Sequence, residues 1–293
     1  MLNIGISTSE AVAEQPVTHF VVFTDVDGSL LDGLTYSFEP AAQALHALQH
    51  RDIPLVLVSS KTRAEMEPLR ERLGHRGPFI VENGAAVFIP QGTFEFPLER
   101  GRKKPPYDVI ELGLPYHMLR DVLKQVEDAV ETPLKGFGDL SIEDIMLLTG
   151  LPKTDAELAK QREYDEPYVI EGPSSLIEEV CRQIVTRGLR WTKGGRLFHL
   201  MGDNDKGQAA ALLLRCYQRQ LRLHERPSRI ETIGIGDSVN DAPLLAMVDY
   251  PILVQKPDGS YDPDIHVPGM LRAPGVGPAG WNEAVLSLLE RIT

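Results

Sequence analysis

Short apolar runs that stop at an acidic or hydroxyl residue, each followed by a segment of helical spacing, constrain this chain more than any other feature. His19 to Thr24 is a β-rich apolar run ending at Asp25, and Pro40 to His50 has helical spacing through Leu45 and Leu48. Ile53 to Val58 is the next buried run, and a charged helix follows from Thr62 to about Leu73. Apolar runs of strand length between amphipathic helices predict βαβ units and a parallel sheet with both faces covered. The pattern returns late in the chain. Asp205 to Leu221 reads as a helix, Ile230 to Ile235 as a strand, Ala242 to Val248 as a helix and Tyr250 to Val254 as a strand. A closing helix runs from about Trp281 to Arg291.

The middle reads differently. Gln91 to Pro106 is rich in Pro, Gly and charge and reads as a boundary. Tyr116 to Glu131 and Ser174 to Arg187 are amphipathic helices. Ser141 with Asp144, and Thr154 with Glu157, have the spacing of capping boxes. Tyr168 to Glu171, Leu189 to Lys193 and Arg196 to Met201 are strand-like, with Gly194-Gly195 predicted as a tight hairpin turn. The expected architecture is α/β. Residues 1–18 form a leader, 19–90 and 197–293 a parallel-sheet core, and 91–196 an inserted α+β domain.

Charge narrows the function classes. Lys and Arg total 30 against 42 Asp and Glu, a net charge of −12. Phosphate backbones and anionic membranes reward basic surfaces, so nucleic-acid and membrane partners are not expected. No apolar run approaches the roughly 20 residues of a membrane helix. Residues 1–18 lack the basic start and apolar stretch of a signal peptide. Cys181 and Cys216 are too few for a disulfide framework, and the simplest compartment is the reducing cytoplasm.

Chemistry concentrates where predicted strands end. The first runs into Asp25-Val26-Asp27-Gly28-Ser29. Carboxylates at i and i+2 face the same side, a pairing suited to a divalent metal and one nucleophilic carboxylate, and Gly28 lets backbone approach a ligand. A solvated acidic turn is the blander alternative. The second strand ends at Ser59-Ser60-Lys61, where a hydroxyl and free amides could hold phosphate oxygens, or merely cap a helix. The late strand ends at Gly236-Asp237-Ser238-Val239-Asn240-Asp241, before a helix with Pro243 in its first turn. In open α/β sheets ligands bind beyond the carboxyl ends of strands. Three such endings in one chain favour a site over three unrelated caps.

In this order the segments resemble the haloacid dehalogenase superfamily of phosphotransferases. D-x-D-G-[ST] at Asp25 to Ser29, a hydroxyl at Ser59, Lys206 and G-D-x-x-N-D at Gly236 to Asp241 carry the match. Glu82-Asn83-Gly84-Ala85 before the insertion is similar to members with a C2B-type cap. Ser59 to Glu65, Phe79 to Pro90, Gly136 to Ser141, Ala159 to Pro167 and Gly194 to Gly207 resemble, more narrowly, the mannosyl-3-phosphoglycerate phosphatase family. The resemblance implies a parallel-sheet core with an α+β cap, and Mg²⁺-dependent removal of phosphate from a glycosyl phosphoglycerate.

It also implies roles. Asp25 is the nucleophile and Asp27 the general acid and base. Asp25, the Asp27 carbonyl and Asp237 hold Mg²⁺. Ser59 and Lys206 bind the transferring oxygens, and Asn240 and Asp241 orient the loop. Gly28, Ser29, Ser60 and Lys61 line the phosphate. Ser29 stands where Thr is commoner, and Ser60 is the alternative to Ser59. For the sugar and carboxylate, the expected contacts are Gln161, Arg162, Asp139 on a flexible loop, Arg196 and His199; Arg can hold a carboxylate through two parallel hydrogen bonds. A phosphatase of glucosyl-3-phosphoglycerate or another sugar phosphate, a sugar phosphomutase and a non-enzymatic phosphate-binding protein are the competing functions. Asp203-Asn204-Asp205 lacks the Gly position and closing Glu of a calcium loop. Trp191, Trp281 and Leu212 to Leu214 are expected in the core. No nucleotide-binding fingerprint follows a strand.

Overall fold

The computed structural model describes residues 17–194, 197–223 and 228–291. The leader through residue 16 and Arg196 lie outside them. The parallel core is built on β1 (Val17–Thr24), β2 (Leu55–Val58), β3 (Phe79–Val81), β11 (Ser228–Gly236), β12 (Tyr250–Gln255) and β13 (Leu271–Val276). Three antiparallel strands extend the same sheet: β4 (Ala86–Pro90), β5 (Arg102–Lys104) and β6 (Tyr107–Glu111). The order is β13-β12-β11-β1-β2-β3-β4-β6-β5. Side chains alternate across it, as the pleat requires. Val22, Leu57, Phe79 and Val81 pack on one face with Leu48 of α1 (Ala42–His50), Met66 of α2 (Arg63–Arg72) and Trp281 of α9 (Gly277–Arg291). Val21, Phe23, Val58 and Ile80 pack on the other with Leu213 of α7 (Lys206–Arg222) and Leu244 of α8 (Ala242–Met247).

A second sheet orders β7 (Lys135–Gly136), β8 (Asp165–Val169), β10 (Leu197–Met201) and β9 (Arg190–Gly194), all antiparallel. Leu119 and Leu123 of α3 (Tyr116–Val130) and Val180 and Ile184 of α6 (Ser174–Thr186) cover one face against Tyr168, Phe198 and Leu200. The chain between them adds α4 (Ile142–Thr149) and α5 (Lys153–Ala159).

The strand pairing moves both expected domain boundaries. The Pro- and Gly-rich stretch leads into β5 and β6, which belong to the large sheet, so the chain leaves the core after Glu111 instead of at 90. β10 belongs to the small sheet, so the return lies after Met201 instead of at 197. Val17 and Thr18 already pair with Ser228 and Arg229, which shortens the leader. Ser141 and Asp144 form the expected capping box, with reciprocal bonds. Thr154 does not: Pro152 precedes the first turn of α5 and Thr154 lies inside it, because proline's fixed φ suits a helix start. Trp281 is buried, whereas Trp191 on edge strand β9 is 39% exposed. Among the described residues no helix is long and apolar enough to cross a membrane.

A polar knot pins α2 to the sheet. The Arg70 guanidinium stacks 4.1 Å from the Phe79 ring centroid and donates to Tyr107, to the Gly77 carbonyl and to His75 Nδ1. His75 Nε2 donates to the Leu55 carbonyl. Accepting from Arg70 requires a neutral ring, and burial with the Arg70 charge lowers the His75 pKa to about 4. The unfolded ring takes its proton near pH 6.5, so this contribution is complete above that value and is lost as pH falls towards 4. The wild-type protein should lose roughly 3 kcal/mol across that window beyond the loss in a His75→Gln variant. Urea unfolding at pH 7, 5.5 and 4 measures the difference, and parallel curves for the two proteins would refute the linkage.

Candidate active site

Four neighbouring strands, β11, β1, β2 and β3, end at one edge, and the residues that follow them are Asp237, Asp25, Ser59 and Glu82. Parallel pairing brings residues distant in sequence to one place, on either side of β1, where chain direction across the sheet reverses. Lys206, the first residue of α7, closes the site. Its buried ammonium lies 2.6 Å from Asp25 Oδ1 and 2.6 Å from Asp241 Oδ1. Asp241 Oδ2 accepts the backbone N–H groups of Asp237 and Ser238, shaping the turn after β11. Gly28 adopts φ 80°, and a Cβ there would stand 2.7 Å from Asp237 Oδ2. Only glycine lets these two loops approach so closely.

One oxygen from each of Asp25, Asp237 and Asp241 lies within 4.8 Å of the others. The Lys206 ammonium is bonded to two of these three carboxylates, and on Asp237 burial and the Asp241 charge outweigh the pull of Lys206 and Lys256. Burial and the Asp241 charge hold the Asp25 carboxyl well above its ordinary range, against the pull of Lys206. The same two causes raise Asp237 to about 7. Burial pulls the Lys206 ammonium down, but Asp241 and Asp25 outweigh it and raise its pKa. Asp25 Oδ2 is buried and makes no hydrogen bond. A free buried oxygen amid excess negative charge fits a divalent cation. Asp25 and Asp237 are the side chains free to hold it, since Asp241 is committed to Lys206 and the two N–H groups.

The sequence places the remaining groups by local means. Thr62 caps α2 in a reciprocal box with Glu65, which turns the chain directly after Ser59-Ser60-Lys61. Ser59 is buried, and its Oγ accepts from the Lys61 N–H. The Lys61 ammonium reaches Asp27 at 3.0 Å and Glu65 at 3.5 Å. Burial opposes its charge, and Asp27 with Glu65 outweighs that and raises its pKa. Trp281 donates to Thr24 Oγ1, which donates to the Asp25 carbonyl, fixing the end of β1.

Residues 22–96 match the model of the haloacid dehalogenase-like hydrolases. A glucosyl-3-phosphoglycerate/mannosyl-3-phosphoglycerate phosphatase of Methanococcoides burtonii is 44% identical over 92% of this chain and 97% of its own. The chain belongs to the haloacid dehalogenase-like hydrolases. A mannosyl-3-phosphoglycerate phosphatase of Pyrococcus furiosus is 38% identical over 80% of this hydrolase and 90% of its own length. A crystal structure of the protein 0175 of Thermoplasma acidophilum shares the fold, with TM-score 0.65, 17% identity and coverage of 93% and 99%. So does a subclass IIB sugar phosphatase, with TM-score 0.63, 14% identity and coverage of 92% and 98%. The small antiparallel sheet, with the helices on it, is the cap of this hydrolase, set against the mostly parallel core in the fold these structures share.

The expected cap residues divide. Arg162 reaches the core: its Nη1 donates to the Ser60 carbonyl at 2.7 Å, beside Ser59. Its guanidinium lies 5.7 Å from the Phe137 ring centroid, and Nε is buried without a hydrogen-bond partner. His199 is buried, with Nδ1 2.9 Å from Asp165 Oδ2. Gln161 is exposed and its amide turns back to the Glu157 carbonyl, so no contact joins it to the strand-end residues. Asp139 is not on a free loop. Arg120 grips both of its oxygens, and Gly136 N–H adds a third bond, which leaves little for a sugar. Ser29 Oγ is buried without a partner.

Glu82, Asn83, Asp165 and Asn204 join the hydrogen bonds around the strand ends, although the sequence marks only Glu82-Asn83-Gly84, as a motif. Paired polar residues at a strand end were the available signal. The raised Asp237 pKa predicts a pH effect. A carboxyl held protonated in the fold stabilises at low pH and is lost as pH rises through about 7. Metal-free protein should therefore lose thermal stability between pH 5 and 8, and Asp237→Asn should flatten that loss. Magnesium should restore the wild type at pH 8 and leave the variant nearly unchanged; equal responses in melting scans would discount the cation site.

Proposed function

We propose that this hydrolase removes phosphate from mannosyl-3-phosphoglycerate and from its glucosyl epimer, releasing the glycosyl glycerate. The carrying observation is Asp25, joined to Lys206 at one oxygen with the other free, at the carboxyl edge between β11 and β2. The Methanococcoides burtonii relative, named for both substrates and matched along nearly its whole length, supports acceptance of both epimers. A relative of Persephonella marina with the same double name is 40% identical over 98% of its length.

Asp25 attacks phosphorus and forms an aspartyl-phosphate as the bond to the sugar-acid oxygen breaks. Asp27 gives its proton to that leaving oxygen, then takes one from the water that hydrolyses the acyl phosphate, returning both carboxyls to their starting states. Lys206 and the Ser59 hydroxyl receive the phosphoryl oxygens, the electrostatic share of the work. Lys61 holds Asp27 at the cleft. Asp25, Asp237 and the Asp27 carbonyl would hold magnesium, which would supply positive charge between the anionic nucleophile and the anionic substrate. Arg162 receives the glycerate carboxylate, and His199, held by Asp165, serves the sugar acid. The net charge, the two free cysteines and the relatives' small-molecule substrates support a cytoplasmic enzyme without nucleic-acid or membrane partners.

Phosphate release is measured on both synthetic glycosyl phosphoglycerates, with and without magnesium, beside simple sugar phosphates. Magnesium-dependent turnover confined to the two glycosyl phosphoglycerates is the expected result; turnover of simple sugar phosphates alone would reject the substrate. Asp25→Asn should lower kcat on the order of 10⁴-fold or more. Arg162→Ala should raise KM by about 10- to 100-fold for the carboxylate-bearing substrate, the worth of a charged hydrogen bond. It should leave KM for a sugar phosphate without a carboxylate nearly unchanged. An equal rise for both would show that Arg162 does not read the carboxylate.

A further inference from the structure

The turn Glu82-Asn83-Gly84 touches the residues after β2, the turn after β11, the approach to α7 and the cap. All three residues are left-handed, at φ 46°, 56° and 90°. Such a run persists only where its surroundings over-determine it. Here Glu82 N–H donates to the Lys61 carbonyl and Asn83 N–H to the Ser59 carbonyl. Asn204 donates to the Asn83 carbonyl, and Gly84 lies so close to the Asp205 carbonyl that no Cβ fits. Towards the cap, the Glu82 carboxylate accepts the N–H groups of Glu163 and Tyr164, and Asn83 Nδ2 donates to Asp165 Oδ2 at 2.8 Å. Towards the turn after β11, Asn83 Oδ1 accepts from Asn240 Nδ2 at 3.1 Å, and Asn240 Oδ1 accepts from Ser238 Oγ at 2.8 Å.

We infer that Asn83 is a positioning residue that couples the seating of cap strand β8 to the geometry of residues 237–241. The donors run in one direction, from Ser238 to Asn240 to Asn83 to Asp165, where His199 Nδ1 also ends. A carboxylate only accepts, so Asp165 obliges Asn83 to turn its NH2 to the cap and its carbonyl to Asn240. Asn240 must then present its NH2 to Asn83 and its carbonyl to Ser238. Without the cap acceptor the Asn83 amide has no preferred face, and the orientation of Asn240 between Asp237 and Asp241 is lost with it. Chains of this kind also strengthen cooperatively. The inference rests on the phosphatase reading only for the importance of the 237–241 turn.

Asn83→Gly removes the amide at a backbone angle glycine accepts, and Asp165→Ala removes the cap acceptor. Each should lower kcat by about 10- to 100-fold, as loss of groups that orient ligands does, with KM little changed. The double variant should be no slower than the slower single, since both act through one chain. Asp165→Asn, whose carbonyl still accepts from Asn83, should recover kcat relative to Asp165→Ala. Hydrogen exchange on the metal-free proteins reads the coupling without activity. Amides of 237–241 should exchange faster in Asn83→Gly and Asp165→Ala, while those of β1 and β11 keep wild-type protection. Unchanged exchange at 237–241 in either folded variant, or losses that multiply in the double variant, would overturn the inference. If the wild type hydrolyses no glycosyl phosphoglycerate, the proposed substrate fails, and the exchange result still decides the coupling.

Discussion

The buried ammonium of Lys206 between Asp25 and Asp241 is the constraint around which the rest is arranged. A fully buried lysine is tolerated only with its charge matched, and two carboxylate oxygens at 2.6 Å match it. Those oxygens come from the ends of β1 and β11, so the first turn of α7 must stand over the seam between two adjacent parallel strands. Gly207 shows how tightly that turn is seated: a Cβ there would run into the Pro243 backbone at the start of α8. Any chain that leaves and re-enters the core must deliver Lys206 to this spot. The cap does so through β10 and the short link 202–205, where Arg190 of the cap pairs with Asp203 and Asp205, and Asp205 caps α7.

Excess negative charge makes this an unfavourable arrangement without a cation. Its retention depends on rigidity elsewhere. Both faces of the sheet bury large apolar clusters, and Trp281 anchors the end of β1 through Thr24. The raised pKa values of Asp25 and Asp237 are therefore marks of a site strained by its own chemistry, and a local loss of stability is the expected accompaniment of pre-arranged catalytic charge.

The core elements and the strand-end residues were legible in the sequence because their signals are local. Each apolar run stops beside a polar residue that the fold brings to one edge, so the positions of Asp25, Ser59 and Asp237, and the capping box at Ser141, could be read without tertiary information. Boundaries failed where pairing partners decide membership. β5 and β6 are short, charged and edge-like in sequence, yet hydrogen bonding adds them to the large sheet through β4. β10 reads as apolar and core-like, yet its partners are β8 and β9. The tethering of Asp139 was not legible for a similar reason, since nothing near it in sequence announces Arg120 as its partner, 19 residues before it. Arg162 was legible as a residue type, but its reach to Ser60 depends on how the two sheets face each other.

The division between core and cap is also a division of chemical labour. The residues proposed to handle phosphate all follow core strands or open α7, and nothing in that assignment reads the rest of the substrate. Selectivity needs groups whose correct placement depends on the cap, and Arg162, which the cap brings beside Ser60, is the residue proposed for it. A cap that only added contacts would tighten binding without raising kcat, because ground state and transition state would gain alike. A cap that also orders the catalytic turn contributes to kcat. The hydrogen bonds from Glu82 and Asn83 provide that link, joining β8 of the cap to the turns after β2 and β11 through one left-handed backbone segment. Selectivity and rate then depend on the same seated arrangement, and the strained turn persists because both sheets press on it.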